Sequence, residues 1–290
     1  MKLSGPLIPQ LILFPGTTDQ VFSCDIILPS TNANQSHITC IYIHGGSWQC
    51  GDKQSAASIG LMRAMCQRGY TSVSLNYRLS PQVVHPTHAL DIAEGIKWVH
   101  DNISDVISSS NLNDCNSVNI SLQYGGDPDK LVVMGHSAGA HLALYSVAEA
   151  TVFQEMALQI SSIKAIVGIS GVYNIARMAN VPFYGSLVIP PAFGHRADTW
   201  RVASLLSVLA KHRDSCPLVH IPTLLINAKD DFHLQKDSEE LLGWIRKYAT
   251  SHCRSEVIDQ CNHFSILHQQ EEKAISSAAI GKISAFLDDL

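Results

Sequence analysis

The sequence predicts an α/β fold, a mostly parallel central sheet with helices on both faces. Three observations predict it. Short β-rich or apolar runs alternate with helical stretches of about 10–15 residues. Runs such as Leu131–Met134 and Ala165–Ser170 are predominantly apolar and read as buried strands. His44, Ser137, Asp231 and His263 each fall just after a predicted strand end. That is where open parallel sheets place their sites.

The bulk properties narrow the class. The chain has 290 residues, 46% hydrophobic and 16% charged, which suits one globular domain over 1–290 with a sizeable core. A net charge of −5 gives no electrostatic case for nucleic acid or an anionic membrane. No apolar run approaches the ~20 residues of a membrane span. Gly5, Pro6, Pro9 and Gln10 interrupt the apolar N-terminus, so it reads as a first strand rather than a signal peptide. The eight cysteines are scattered without a C-x-x-C pair. They read as free thiols of a reducing compartment, so a cytoplasmic location is expected, with no metal site and no cofactor. The N-x-S triplets at Asn34, Asn102 and Asn119 then read as chance matches.

In chain order, Leu11–Phe14 and Val21–Leu28 read as edge strands around a Pro15-Gly16 turn, and Ser30–His37 as a polar loop. Thr39–Tyr42, running into Ile43-His44, reads as a central strand, Ser55–Gln67 as a helix and Tyr70–Leu75 as the next strand. Ala89, Ile92, Ile96 and Val99 mark one face of a helix. Asp91 on that helix suits an ion pair with Arg78 that braces the framework. Asp105–Tyr124 is rich in Ser and Asn and reads as a surface insertion. Leu131–Met134 and Ala165–Ser170 are strands on either side of a helix at Ala140–Ala150. The stretch from about 172 to 204 lacks periodicity but is rich in aromatics, which suits a small cap or lid. Thr223–Ala228 and Ser255–Asp259 read as the last strands. Leu241, Trp244, Ile245 and Tyr248 mark a helix between them, and Ala274–Leu287 reads as the closing helix.

The strongest motif is Gly135-His136-Ser137-Ala138-Gly139, a G-x-S-x-G between a strand and a helix. Such a turn holds its serine in a strained conformation with the hydroxyl exposed, at a helix N-terminus that favours developing negative charge. A serine needs a base, and the base an orienting carboxylate. In this sheet type the chain order is Ser, then acid, then His. That order leaves His233, His252, His263 and His268. His263, just past the last strand, is preferred, because His252 sits at the wrong end of the sheet and His233 is too near the acid. Asp230 and Asp231 both follow the strand Thr223–Ala228, and Asp231 is preferred. The oxyanion donors expected are the backbone N–H of Ala138 and those of Gly45 and Gly46. Trp48, His136, Phe183, Tyr184 and Trp200 are candidates for the wall of a mostly apolar pocket, with Phe193 beside them. Trp48 fits a core position equally well, and His136 and His141 fit packed roles.

These pieces resemble the α/β-hydrolase fold over nearly the whole chain. Within it they resemble the esterases that include hormone-sensitive-lipase-like enzymes, kynurenine formamidases and isoprenylcysteine methylesterases. The matching stretches are HGGSW at 44–48, NYRLSP at 76–81, YGGDPDKLVVMGHSAGAHLA at 124–143 and AKDDF at 228–232. His263-Phe264 matches the formamidase branch. The resemblance implies a serine carboxylic ester hydrolase with Asp231 as the acid, although Ala228 stands where the family usually has glycine. HGGSW rather than HGGG points toward the formamidase and methylesterase branches. The expected substrate is a small molecule, an ester with a short acyl group and an apolar or aromatic leaving group. The alternatives are an arylformamidase, or a biosynthetic or binding protein on the same fold that acts non-hydrolytically, as in secondary metabolism. The oligomeric state is not legible in the sequence.

Overall fold

The structure is a computed structural model that describes residues 7–11, 23–29, 36–104, 106–107, 122–123, 125–155, 157–213, 215–248, 252–267 and 275–290. Its strands are β1 (Leu7–Leu11), β2 (Ser23–Ile27), β3 (Thr39–Ile43), β4 (Thr71–Leu75), the short β5 (Val106–Ile107) and β6 (Leu122–Gln123), β7 (Leu131–His136), β8 (Ile163–Ile169), β9 (Thr223–Asp230) and β10 (Cys253–Asn262). Eight of them form one sheet in the order β1-β2-β4-β3-β7-β8-β9-β10. The pairs β1–β2 and β2–β4 are antiparallel. From β4 to β10 every pair is parallel.

Each central strand is buried on both faces because its side chains alternate between two cores. Ile41 and Ile43 join one core with Val73, Leu75, Leu131 and Val133. Cys40 and Tyr42 join the other with Val132, Met134, Val167 and Ile226. Helices α1 (Ala56–Cys66) and α10 (Ile275–Asp288) cover the second core. Helices α2 (Thr87–Asn102), α3 (Ala138–Ala148), α8 (Leu205–His212) and α9 (Leu234–Tyr248) cover the first. Ser55 caps α1 by accepting from the Ser58 N–H. On α2, Ala89, Ile92, Ile96 and Val99 are all buried, as their spacing predicts. Arg78, just past β4, donates through Nη2 to Asp91 Oδ1 at 2.6 Å, and its backbone N–H to Oδ2 at 2.9 Å, tying the strand end to α2.

Some boundaries differ from the expected ones. The first described strand is Leu7–Leu11, whose register against β2 pairs Leu7 with Ile27 and Leu11 with Ser23, and residues 12–14 of the expected Leu11–Phe14 strand lie outside the described residues. The Pro15-Gly16 turn lies outside the described residues. So does most of the 105–124 insertion, whose described part is the antiparallel ladder of β5 with β6. The helix after β7 starts at Ala138 and ends at Ala148, and a separate α4 (Ala150–Glu155) follows. The aperiodic 172–204 stretch consists of short pieces: α5 (Ile175–Met178), a π-helical turn at Tyr184–Val188, α6 (Ile189–Phe193) and α7 (Ala197–Ala203). None is long enough to show a helical period in sequence. Among the described residues, no helix is long and apolar enough to cross a membrane.

Candidate active site

β7 ends at His136, and the chain reverses at once into α3. Ser137 occupies this turn with φ 54 and ψ −118. A positive φ is uncommon for a residue with a side chain, and it persists here because the flanking elements over-determine it. The Ser137 N–H donates to the Ile169 carbonyl of β8 at 2.9 Å. A Cβ at Gly139 would come within 2.2 Å of the Ile43 carbonyl oxygen. The first turn of α3 therefore passes against the end of β3, and only glycine fits the crossing.

The base and the acid reach the serine from two further strand ends. His263 follows β10 directly, and its N–H donates to the Asp230 carbonyl at 3.0 Å. His263 Nδ1 donates to Asp231 Oδ1 at 2.6 Å, and Ser137 Oγ donates to His263 Nε2 at 2.9 Å. Ser137, Asp231 and His263 are all buried. The other Asp231 oxygen accepts from Asn227 Nδ2 at 2.9 Å and from the Ala228 N–H at 3.2 Å. Burial pushes the Asp231 carboxyl up, but the hydrogen bonds from His263 and Asn227 outweigh it and hold the group below the usual carboxylate range. Asp230, the other candidate, ends β9 and is exposed. His233 follows Asp231 on the surface, His252 precedes β10 at the far end of the sheet, and His268 lies outside the described residues.

The loop after β3 crosses in front of the serine. A Cβ at Gly45 would lie 3.2 Å from Ser137 Cβ, so the two backbones are nearly in contact. Gly46 has φ 120, and its own Cβ would collide with the Cys50 carbonyl, so this turn requires glycine. The Gly45 carbonyl accepts from His44 Nδ1 at 2.7 Å, and the His44 ring stacks on Tyr77 with centroids 4.6 Å apart. Tyr77 Oη in turn donates to the His44 carbonyl at 3.2 Å. Ala138 is the first residue of α3, so its N–H has no partner within the helix. Gly45 and Ala138 thus lie directly beside Ser137, and Gly46 follows Gly45 in the same turn.

The expected pocket wall divides. Trp48 is corrected: at 1% exposure it is a core residue. Ser47 and Trp48 both take positive φ, which turns the indole inward. There it packs edge-on against Phe193 and His141, with centroids 4.8 and 5.4 Å away. Phe193 is likewise buried, at 3% exposure. Trp200 is half-buried, and its Nε1 donates to the Gly194 carbonyl within its own segment. His136 lies beside the triad, but its Nε2 donates to the His263 carbonyl at 2.9 Å and so holds the turn that carries the base. Phe183 is exposed and Tyr184 half-buried against the core, with ring centroids 6.1 Å apart.

Three residues that sequence reasoning left out belong to this neighbourhood. Asn227 supports the acid. Phe232 and Phe264 pack against the His263 imidazole at 5.2 and 5.3 Å. Both close stretches that carry the family resemblance, AKDDF and His263-Phe264, but neither is read there as a site residue.

Behind the glycine loop lies a set of histidines that must stay neutral. His141 and His88 are fully buried, and His85 packs 4.6 Å from Tyr145 and 5.3 Å from Phe193. Burial pushes His141 and His88 down to about 4 and His85 well below the ordinary histidine value. A folded-state value below the unfolded one makes the unfolded chain bind protons first. Stability is therefore complete above about pH 6.5 and is lost as pH falls from there toward 4, by about 3 kcal/mol for each of His141 and His88. Urea unfolding at pH 7.5, 6 and 5 is expected to show this decline. His141→Gln is expected to reduce the pH slope by about one proton, and an unchanged slope would show that His141 does not contribute.

The sheet order, the serine turn at the end of β7, and an acid and base delivered by the last two strands together specify a family. A family model described as the alpha/beta hydrolase fold matches residues 40–266. The esterase LipQ of Mycobacterium tuberculosis is 30% identical over 188 residues, covering 61% of this chain and 39% of that protein. A protein of Oryza sativa subsp. japonica, named "Probable isoprenylcysteine alpha-carbonyl methylesterase ICME", is 31% identical over 252 residues, covering 84% of this chain and 56% of that one. The chain thus spans less than two thirds of the length of these relatives. Among solved structures, Thermogutta terrifontis esterase 2 phosphoramylated by tabun superposes with a TM-score of 0.68 at 14% identity, covering 98% of this chain and 94% of that one. The match to the family model takes in β3 through the His263 turn and so includes every strand end that meets at Ser137, and on that evidence the chain belongs to the alpha/beta hydrolase fold family.

Proposed function

We propose that the protein hydrolyses carboxylic esters through an acyl-enzyme on Ser137. The observation that carries this reading is the continuous hydrogen-bonded path from Asp231 through His263 to Ser137 Oγ. Ser137 Oγ attacks the acyl carbonyl carbon while His263 Nε2 takes its proton. The amides of Gly45, Gly46 and Ala138 donate to the oxyanion. As the tetrahedral intermediate collapses, the bond to the alcohol oxygen breaks and His263 returns the proton to that oxygen. Water, deprotonated by the same histidine, then releases the acid and restores the serine. Asp231 holds the imidazole in the tautomer that accepts at Nε2. The esterase and methylesterase names of the relatives support this chemistry.

The substrate class is a small ester with a short acyl group and an apolar or aromatic leaving group. The aromatic rings of Phe232 and Phe264 beside His263, with Tyr184 next to Phe232, support it, and the 172–204 segment acts as a small cap. Free thiols at Cys24, Cys40, Cys50, Cys66, Cys216 and Cys261 support a cytoplasmic setting. The test is kcat/KM on p-nitrophenyl acetate, butyrate and decanoate beside N-formyl-kynurenine. Acetate or butyrate is expected to lead decanoate by about tenfold or more. An optimum at decanoate would overturn the short-acyl reading. A clear lead for the formyl amide would replace ester hydrolysis with formamide hydrolysis on the same triad.

A further inference from the structure

The triad chemistry distinguishes the two halves of an ester by position. The proton that His263 Nε2 takes from Ser137 is delivered to the leaving oxygen as the carbon–oxygen bond breaks. The leaving group must therefore stand against the His263 imidazole at that moment. The acyl chain hangs from the carbonyl carbon above Ser137 and needs no contact with the ring. Side chains that touch the imidazole from the solvent side are thus neighbours of the leaving group.

Phe232 and Phe264 meet this condition. Both stand edge-on to His263, at 5.2 and 5.3 Å, and lie 5.9 Å from each other. They are 45% and 63% exposed, so neither fills the core. Large exposed apolar side chains gathered at one place mark a binding surface more often than scattered ones do. Phe232 also takes φ 49, an outlier for a bulky residue, so the turn after Asp231 presents this ring at a backbone cost. Tyr184 extends the wall 6.3 Å beyond Phe232.

We propose that Phe232 and Phe264, with Tyr184, form the leaving-group subsite and select esters of flat aromatic alcohols. The assignment rests on the serine-hydrolase reading above. Aromatic rings prefer edge-on and offset partners, and a planar leaving group meets Phe232 and Phe264 in that geometry. A small alkyl alcohol reaches neither ring. Selection then acts in the acylation step, because the alcohol has left before deacylation.

The test compares kcat/KM for phenyl acetate and ethyl acetate in wild type, Phe264→Ala, Phe232→Ala and Phe264→Trp. Comparing the phenyl-to-ethyl ratio of each variant with that of wild type cancels the intrinsic reactivity of the esters. The phenyl-to-ethyl ratio is expected to fall about tenfold in each alanine variant and to stay within about threefold of wild type in Phe264→Trp. The acetate-to-butyrate ratio on a fixed p-nitrophenol is expected to hold in all of them. Both rings are largely exposed, so their truncation leaves no core cavity, and the two positions test the subsite independently. Equal losses on phenyl and ethyl acetate would indicate a displaced His263 and overturn the proposal. So would an unchanged phenyl-to-ethyl ratio, or a shift in acyl preference of the same size. Labelling of Ser137 by a fluorophosphonate separates the two levels. A labelled, active wild type with an unmoved ratio overturns the subsite alone, whereas a wild type that neither labels nor turns over acetates overturns the hydrolase reading and the subsite with it.

Discussion

Ser137→Ala is expected to lower kcat by about a thousandfold or more with the fold intact, because serine removal in other triads costs at least that much. The residue sits in a turn held from both sides, by the Ile169 carbonyl on its N–H and by the close crossing of Gly139 over β3. Removing one oxygen leaves that turn and its neighbours in place. Alanine also relieves nothing, because its Cβ meets the same backbone at φ 54. Far-ultraviolet circular dichroism and the unfolding midpoint should therefore match wild type, while kcat on p-nitrophenyl acetate and fluorophosphonate labelling disappear. Retention of more than about a tenth of kcat under chemistry-limited conditions would remove Ser137 as the nucleophile.

Asp231→Asn is expected to cost about a thousand- to ten-thousandfold in kcat, and the reason lies in what surrounds the carboxylate. One oxygen of Asp231 accepts from Asn227 Nδ2 and the Ala228 N–H, and the backbone N–H can only donate. An amide at position 231 must turn its oxygen toward those donors and its NH2 toward His263. His263 Nδ1 then has to accept, and the ring proton moves to Nε2, where it faces Ser137 Oγ. The imidazole is left in the tautomer that cannot take the serine proton. Nitrogen NMR of the His263 ring should find the proton on Nε2 in the variant and on Nδ1 in wild type. A variant within about tenfold of wild-type kcat would show that this carboxylate does not set the tautomer.

Much of this was legible in the sequence because it rests on local chemistry. Apolar runs broken by turn residues located the strands within a few positions. The two glycines around Ser137 signalled a crossing too tight for side chains. His263 and Asp231 stood out because each follows a strand end. The alternation of Cys40, Ile41, Tyr42 and Ile43 between two cores is a property of any strand buried on both faces, and β-rich runs announce it. The 172–204 stretch was not legible as structure, because four short helical pieces show no period.

What the sequence by itself determined was the set of groups able to do the chemistry and their order along the chain. Tertiary structure alone decided what each neighbour is for. Trp48 and Phe193 look like pocket aromatics in sequence, and the positive φ of Ser47 and Trp48 sends the indole into the core instead. His136 looks like a site residue, and its Nε2 instead holds the His263 carbonyl across 127 positions of chain. Asn227 carries no motif, and Phe232 and Phe264 enter only as the last letters of AKDDF and His-Phe, yet all three surround the acid and the base. The physical reason is that identity and spacing set which groups exist and which strand ends they occupy. The direction a side chain takes at a loop depends on backbone angles and packing partners that come together only when β9 pairs in parallel with β10 and α3 crosses the end of β3.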